Sequence, residues 1–422
     1  MVEDQPTSTR AQRVAWCFYD FANSAFPTVI VTAVYVLYFK GVVVGGASGE
    51  SDRLWGAANS AASFLVFLTA PLLGAVADVS GRKRLFLAIY ALACVAATAL
   101  LSLTGPGTVA LALVAFVLAA VGFEGSCVFY NAFLPELVPE GRMGRLSGAG
   151  WALGYVGGLL CLLAVLPLAE HHTALVPLVV AAWFLVFCLP SLALLRDRAR
   201  PVREPGAPSF FVQGAARFAR TLREIRRHGP LVRFLVAYFF FENAIVTVIV
   251  FTVAFTGDTL HFGMTENIIL IMVMNAIAAP GALAFGFLAD RTGCKRTLVV
   301  TLVMWLGVVA GAEIAAWPGL FEIDGAKSFF WGVAVLASLC IGASQATART
   351  LVGKLAPPGQ SGEFYGYMAF TGKGSAILGP FVFGLVSAAT GSQRAAVLTI
   401  GAFFAIGLVL LLRVKEDARA RA

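Results

Sequence analysis

The chain has 422 residues, of which 59% are hydrophobic and only 13% charged, with a mean hydropathy of +0.84. Soluble domains average about 25% charged residues because their surfaces must face water, so much of this surface faces lipid, and a soluble enzyme, a secreted disulfide scaffold and a disordered chain are excluded. The formal charge of +8 would suit a nucleic-acid partner, but the placement of the charges argues against one.

Met1 to Val14 is polar and carries no cleavable signal pattern, so the first apolar run reads as an uncleaved span. A membrane helix needs about 20 mostly apolar residues to cross roughly 30 Å of hydrocarbon. Twelve such runs are predicted, at about 15–39, 54–76, 85–104, 108–132, 146–168, 174–195, 231–256, 265–289, 297–318, 328–352, 363–389 and 393–413. Six precede a long polar stretch and six follow it. The expected fold class is therefore an all-α membrane protein with two pseudo-symmetric six-helix bundles, 1–195 and 231–422, joined by a linker over 196–230. Inside the linker, Phe211, Phe218, Leu222 and Ile225 fall at helical spacing among Arg217, Arg220, Arg223, Arg226 and Arg227. That pattern predicts an amphipathic helix, either a tether between the bundles or an element lying on anionic lipid headgroups.

Placing both termini and the even-to-odd loops in the cytoplasm puts 26 of the 31 Lys and Arg there; Lys40, Arg53, Lys327 and Arg394 fall outside and Lys373 lies within a span. The positive-inside rule selects this orientation, as a multi-pass protein of a cell membrane, the bacterial inner membrane in this reading. The basic residues flank spans and form no folded patch, so no nucleic-acid partner is expected. The seven cysteines lie far apart without a Cys-x-x-Cys pair or Cys/His cluster, so neither disulfides nor a metal site is expected, and no cofactor. The expected partners are a small-molecule substrate, protons and lipid, with the chain a monomer.

Two internal repeats link the halves. The loop after span 2 carries Gly74, Asp78, Gly81, Arg82, Lys83 and Arg84; the loop after span 8 carries Gly286, Asp290, Arg291, Gly293, Lys295 and Arg296, an offset of 212 at the Asp. Leu137, Pro139, Gly141, Gly144, Gly148 and Gly154 recur at an offset of 218 as Leu355, Pro357, Gly359, Gly362, Gly366 and Gly372. In the first motif the Gly allows two helices to approach closely, and the Asp suits the positive N-terminus of the helix that follows or a nearby Arg. Gly74, Asp78, Gly81, Arg82, Gly286, Asp290, Arg291 and Gly293 are the expected gating residues. Parallel six-span repeats are a signature of one large transporter architecture.

The layout and paired loops resemble the major facilitator superfamily. Span 1 reads Tyr19-Asp20-Phe21-Ala22-Asn23-Ser24-Ala25-Phe26; span 5 carries Met143-Gly144-Arg145-Leu146-Ser147-Gly148 followed by Gly150-Trp151-Ala152-Leu153-Gly154-Tyr155; the approach to span 11 reads Ala356-Pro357-Pro358-Gly359-Gln360-Ser361-Gly362-Glu363-Phe364-Tyr365-Gly366. Across the whole chain these resemble the "unknown major facilitator" family, related to autophagy-associated vacuolar amino-acid exporters of fungi. One departure stands out. Members usually show Tyr-Asn-Asp-Gly in span 7, where this chain has Phe241-Glu242-Asn243-Ala244, which moves the acid roughly 100° around the helix.

Ionisable groups inside a bilayer are costly and face a bundle interior. Spans 1, 4, 7 and 10, which line the central cavity in the superfamily, carry Asp20 and Asn23, Glu124 and Asn131, Glu242 and Asn243, and Gln345 and Arg349; span 11 adds Lys373. Asp20, Asn23, Glu124, Asn131, Glu242, Asn243, Gln345 and Lys373 are the candidate substrate-binding residues. Glu124 and Glu242, near midspan, are the candidate proton-coupling groups, because a carboxylate in a low-dielectric interior is disposed to take up and release protons. Asp20 and Arg349 could pair as gate elements, and Glu242 with Lys373 across a zwitterion. Asn59 and Asn275 are expected to hydrogen-bond between helices. The resemblance implies a secondary transporter of amino-acid-like solutes working by alternating access. Export of amphipathic drugs or toxic metabolites is the alternative within the class, and a membrane-embedded sensor or enzyme a remote one.

Overall fold

A computed structural model describes residues 8–45, 48–198, 209–224 and 228–416. Ile225, Arg226 and Arg227 of the predicted linker helix lie outside these. Among the described residues the chain is helical, with twelve helices long and apolar enough to cross a membrane: Arg10–Val44, Gly49–Ser80, Lys83–Leu103, Val109–Leu137, Glu140–Ala169, Thr173–Leu194, Gly229–Asp258, Met264–Thr292, Cys294–Ala315, Ile323–Leu355, Ser361–Thr390 and Gln393–Leu412. Each overlaps the predicted run of the same number. Their outer faces expose side chains such as Phe64, Leu118, Val186, Val303, Phe381 and Leu398, a surface suited to lipid and unsuited to water.

Span 1 is not a regular helix. Thr9 caps it, accepting from Gln12 N at 3.2 Å while the Gln12 side chain returns to Thr9 N. Beyond Pro27 the ladder widens, and Val34 N–H reaches Val29 O at 2.9 Å, an i→i+5 bond of the kind that marks bulged helical turns.

The described chain divides into two compact units. The first comprises Met1–Glu140, Leu153–Leu222 and Pro357–Phe370; the second comprises Gly141–Ala152, Arg223–Ala356 and Thr371–Ala422. Each thus takes in the opening turns of a span whose remainder belongs to the other, span 11 for the first unit and span 5 for the second.

The first unit is built on stacked aromatics, Trp16 and Tyr19 against Tyr130 at centroid separations of 4.5 and 4.8 Å, with the Trp16 indole donating to Tyr130 O at 2.9 Å. The second has Trp305 stacked on Phe404 at 5.0 Å and donating to Ser344 Oγ at 3.1 Å. Buried indoles need a hydrogen-bond acceptor, which both obtain. Several glycines of spans 5 and 11 sit at helix crossings. A Cβ on Gly157 would come within 2.2 Å of Phe21 O in span 1, and one on Gly366 within 2.5 Å of Ala70 O in span 2.

One expectation about a smaller feature is corrected. Asn59 and Asn275 donate to the carbonyls of Trp55 and Ile271 on their own helices, at 2.9 Å each, because the i−4 carbonyl lies within reach of a short amide side chain. The predicted linker helix is observed over Phe210–Arg223, and one side of it packs on the first unit. Phe218 stacks on Tyr367 at 6.1 Å, and Gly214 lies against Val76 so closely that a Cβ would meet its side chain at 2.5 Å.

Candidate functional site

In the first unit, the polar groups of spans 1 and 4 meet. Asp20 Oδ2 accepts from the Tyr130 hydroxyl at 2.9 Å, and Asn23 Nδ2 donates to Cys127 Sγ at 3.6 Å. Asp20 and Asn23 are buried; Glu124, Cys127 and Asn131 are half-buried. The last three stand at i, i+3 and i+7 on span 4, so helical periodicity puts Glu124 and Asn131 on the face that Cys127 turns to Asn23. The structure therefore brings Asp20, Asn23 and the Glu124 face into one polar region. Tyr130, which the sequence reading did not select, supplies the hydroxyl; its place beside Asn131 in an apolar span was the available signal.

In the second unit, Glu242 of span 7 is held by span 10. Gln345 Nε2 lies 2.9 and 3.1 Å from the two carboxylate oxygens, and Glu242 is 8% exposed. Arg349, one turn along span 10, donates through Nε to Ser147 Oγ at 2.8 Å and through a terminal nitrogen to Ser147 O at 2.6 Å, with its guanidinium 5.5 Å from the Trp151 ring centroid. Ser147 Oγ in turn donates to Ala346 O at 2.8 Å. Within their units, Asp20 is thus tied to Tyr130 and Arg349 to the opening turns of span 5.

Asn243 is fully buried, and neither its oxygen nor its nitrogen has a hydrogen-bond partner. It faces span 11, where a Cβ on Gly379 would lie 1.8 Å from Asn243 Oδ1, and one on Gly372 would approach the Tyr238 hydroxyl at 3.4 Å. Spans 7 and 11 therefore run side by side, with half-buried Lys373 next to the Gly372 contact and Glu242 one turn from Tyr238.

The repeated loops form two matching locks. Asp78 accepts from Gly362 N at 3.0 Å and Glu363 N at 2.8 Å, the opening amides of span 11. Asp290 accepts from Gly144 N at 2.8 Å and Arg145 N at 2.9 Å, the opening amides of span 5. A carboxylate on the free N–H groups of a helix start gains both hydrogen bonds and the dipole. The N-terminus of the next helix, the expected partner of each Asp, is occupied by another acid: Arg84 N donates to Asp197 at 2.9 Å, and Cys294 N and Lys295 N to Glu416 at 2.8 and 2.9 Å. The motif glycines permit the approach, since a Cβ on Gly74 would lie 2.2 Å from Gly362 O and one on Gly286 would lie 2.5 Å from Gly144 O. Gly81 and Gly293, three residues beyond each Asp, turn the chain at φ +63 and +96, where a side chain would be strained.

The two locks differ in their cations. Arg82 and Arg291, the arginines expected to act, are exposed. In the first unit buried Lys83 stands instead between Asp78 at 3.2 Å and Glu136 at 2.5 Å and donates to Ser361 Oγ at 2.7 Å. In the second unit Arg145 Nε lies 3.2 Å from Asp290 and its guanidinium 5.2 Å from the Phe287 ring centroid. Which basic residue of a Gly-Arg-Lys-Arg run turns inward depends on how the loop leaves its helix, which composition does not encode.

Residues 42–422 match the family model described as "Vacuole effluxer Atg22 like". The "Uncharacterized MFS-type transporter YxiO" of Bacillus subtilis is 31% identical over 420 residues, spanning 96% of this chain and 95% of that protein. "Autophagy-related protein 22" of Saccharomyces cerevisiae is 25% identical over 419 residues, spanning 89% of this chain and 76% of its own. Among solved structures, the human organic anion transporter MFSD10 superposes with a TM-score of 0.77 at 17% identity over 96% of this chain and all of its own. The proton:xylose symporter XylE superposes with a TM-score of 0.71 at 12% identity over 95% of this chain and 94% of its own. At such identities these structures establish the shared fold.

Proposed function

The chain belongs to the family of Atg22-like vacuole effluxers and is a multi-pass transporter of the major facilitator superfamily, not an enzyme; from that premise we propose that it carries a small polar or zwitterionic solute of the amino-acid class by alternating access, coupled to protons. The observation that carries this reading is the pairing of carboxylates with neutral donors in both units: Asp20 with Tyr130 in the first, Glu242 with Gln345 in the second. Carboxylates that engage amide and hydroxyl donors can accept an ammonium group, and Lys373 and Arg349 in the second unit are the cations that would meet a carboxylate. A zwitterion needs both.

Proton coupling is assigned to Glu124 and Glu242. Both lie near midspan, where a carboxylate in a low-dielectric interior is disposed to take up and release protons. We place the protein in the bacterial inner membrane with both termini in the cytoplasm, a reading supported by the distribution of Lys and Arg and by the Bacillus relative. The family's description as effluxers supports export.

A second reading, efflux of amphipathic compounds, is favoured by one feature. A cavity of about 60 Å³ inside the second unit is walled by Phe251, Phe255, Phe330, Phe383 and Met274, with Thr252 its single polar side chain. Aromatic and Met side chains pack against varied apolar shapes, and a drug-sized ligand would need this cavity to open several-fold.

The experiment that separates the two is a thermal-shift screen of the purified protein against amino acids, other polar metabolites and amphipathic cations at two pH values. A ligand that binds the folded state raises its melting temperature. Shifts confined to zwitterions, lost in Glu242→Gln, support the first reading. Shifts confined to amphipathic cations and lost in Phe251→Ala would replace it with the second.

A further inference from the structure

The linker helix has three faces, and the transport reading uses none of them. Its buried positions, Gly214 and Thr221, with Arg217 and Phe218 between them, meet the rest of the first unit. Phe211 and Leu222 are 54% and 47% exposed; eleven residues apart, they stand within about 20° of each other on the helix surface. Val212 is also exposed, as are Arg220 and Arg223. At about 100° per residue the order around the helix is the packed face, then Phe211 with Leu222, then Val212 with Arg223, then Arg220.

Its position gives this pattern a meaning. Gly214 packs on Val76, four residues before the end of span 2, and Arg217 donates to Gly359 O at 3.1 Å, just ahead of span 11. Six residue steps separate Arg223 from Gly229, the start of span 7, a reach of roughly 20 Å at most. The helix is thus tethered at the level where spans begin and end, which is where a leaflet's headgroups lie. Two exposed large apolar side chains with Arg223 about 100° around the helix from Leu222 suit that boundary, with the apolar groups among acyl chains and the guanidinium group at phosphate.

The packed face leads into the lock. Arg217 Nε lies 3.5 Å from Glu363 Oε2, and the Glu363 side chain is fully buried. The backbone N–H of the same residue is one of the two held by Asp78. Arg217 therefore fastens, from the linker, the turn of span 11 that Asp78 fastens from the loop after span 2.

We infer that the linker helix is a docking surface for an anionic leaflet, with Phe211 and Leu222 entering the acyl region and Arg223 taking phospholipid phosphate, and that this docking keeps Arg217 on Glu363 and so holds the start of span 11 in the first unit. Membrane charge then sets how firmly that lock is closed. This goes beyond the transport reading and does not depend on which solute is carried.

The test uses the full chain in nanodiscs of phosphatidylcholine alone or mixed equally with phosphatidylglycerol, with hydrogen exchange as readout. Peptides over 210–223 and 361–367 should exchange about fivefold more slowly in the anionic discs. Arg223→Gln should exchange at the neutral-lipid rate in both. Arg217→Gln should keep the lipid response over 210–223 and lose it over 361–367, which separates docking from its transmission to span 11. Equal exchange of the native chain in the two lipids would overturn the proposal. So would an undiminished lipid response in Arg223→Gln, or inorganic phosphate added to neutral discs reproducing the anionic-lipid effect, since the surface would then be a site for free anions.

Discussion

Glu124 and Glu242 sit in unlike surroundings, and the difference sets what each should do when neutralised. Glu124 is half-buried on the span 4 face that carries Cys127 and Asn131, so a neutral amide of the same size fits there without a new cavity. Glu124→Gln should therefore still exchange substrate across proteoliposomes while no longer accumulating it against a gradient when a pH difference is imposed. Undiminished proton-driven accumulation would remove Glu124 from the coupling step. Glu242 lies on span 7 beside span 11, which carries Lys373, and the Tyr238–Gly372 contact brings those helices together close to both residues. If acid and base compensate each other, Glu242→Gln and Lys373→Met should each abolish transport, while the double variant melts no lower than either single one. A double-mutant cycle on thermal stability should then return a coupling of about 1 kcal/mol or more; a value near zero would mean that the two charges are independent.

The repeated loop acts through the element it holds. Asp78 has both carboxylate oxygens on the first amides of span 11, and any movement of that helix start must break both bonds. Asn in its place offers one acceptor and turns an N–H₂ toward amides that need acceptors. Asp78→Asn should slow turnover about tenfold, equivalent to about 1.4 kcal/mol, and weaken substrate binding less; stopped-flow turnover and equilibrium binding on one preparation distinguish the two effects. The matching crossing in the second unit tests packing alone. Gly286→Val places a Cβ 2.5 Å from Gly144 O, where backbone cannot yield as a side-chain tip can. Overpacking of this kind costs about 1–3 kcal/mol, read as a lowered melting temperature, whereas a neutral result would show that span 5 is free to shift at that point.

At the scale of the molecule, each unit depends on sequence from the other half of the chain. Without Pro357–Phe370, the first unit would lose the amides that Asp78 binds and the Ser361 hydroxyl that Lys83 binds, leaving the buried charges Asp78 and Lys83 with fewer partners. Removing partners from buried charges is strongly destabilising, about 3–5 kcal/mol when a pair is broken. A fragment ending within the linker near residue 208 should therefore be degraded or aggregate when expressed alone. Co-expression with the fragment that begins there should restore a stable complex recoverable by a tag on either piece. Equal stability of the lone N-terminal fragment would show that the span 11 segment is dispensable to that unit.

What the sequence alone determined follows from terms that act locally or sum along the chain. Twelve apolar runs reappear as twelve long helices because a single apolar run of about 20 residues can satisfy its backbone polar groups within itself only as a helix. The paired Gly and Asp motifs were legible because two copies at a fixed offset cannot be read as chance composition. Glu242 and Gln345 were legible as members of one polar set, since charge within a span must find a partner. That Gln345 is the residue holding Glu242, that Lys83 rather than Arg82 turns inward, and that Asp78 reaches the start of span 11 while Asp197 takes the start of span 3 were decided only by tertiary structure. The physical reason is the same in each case: a buried charge takes whichever donor the folded backbone brings within about 3 Å, and for Asp78 that donor comes from 284 residues along the chain.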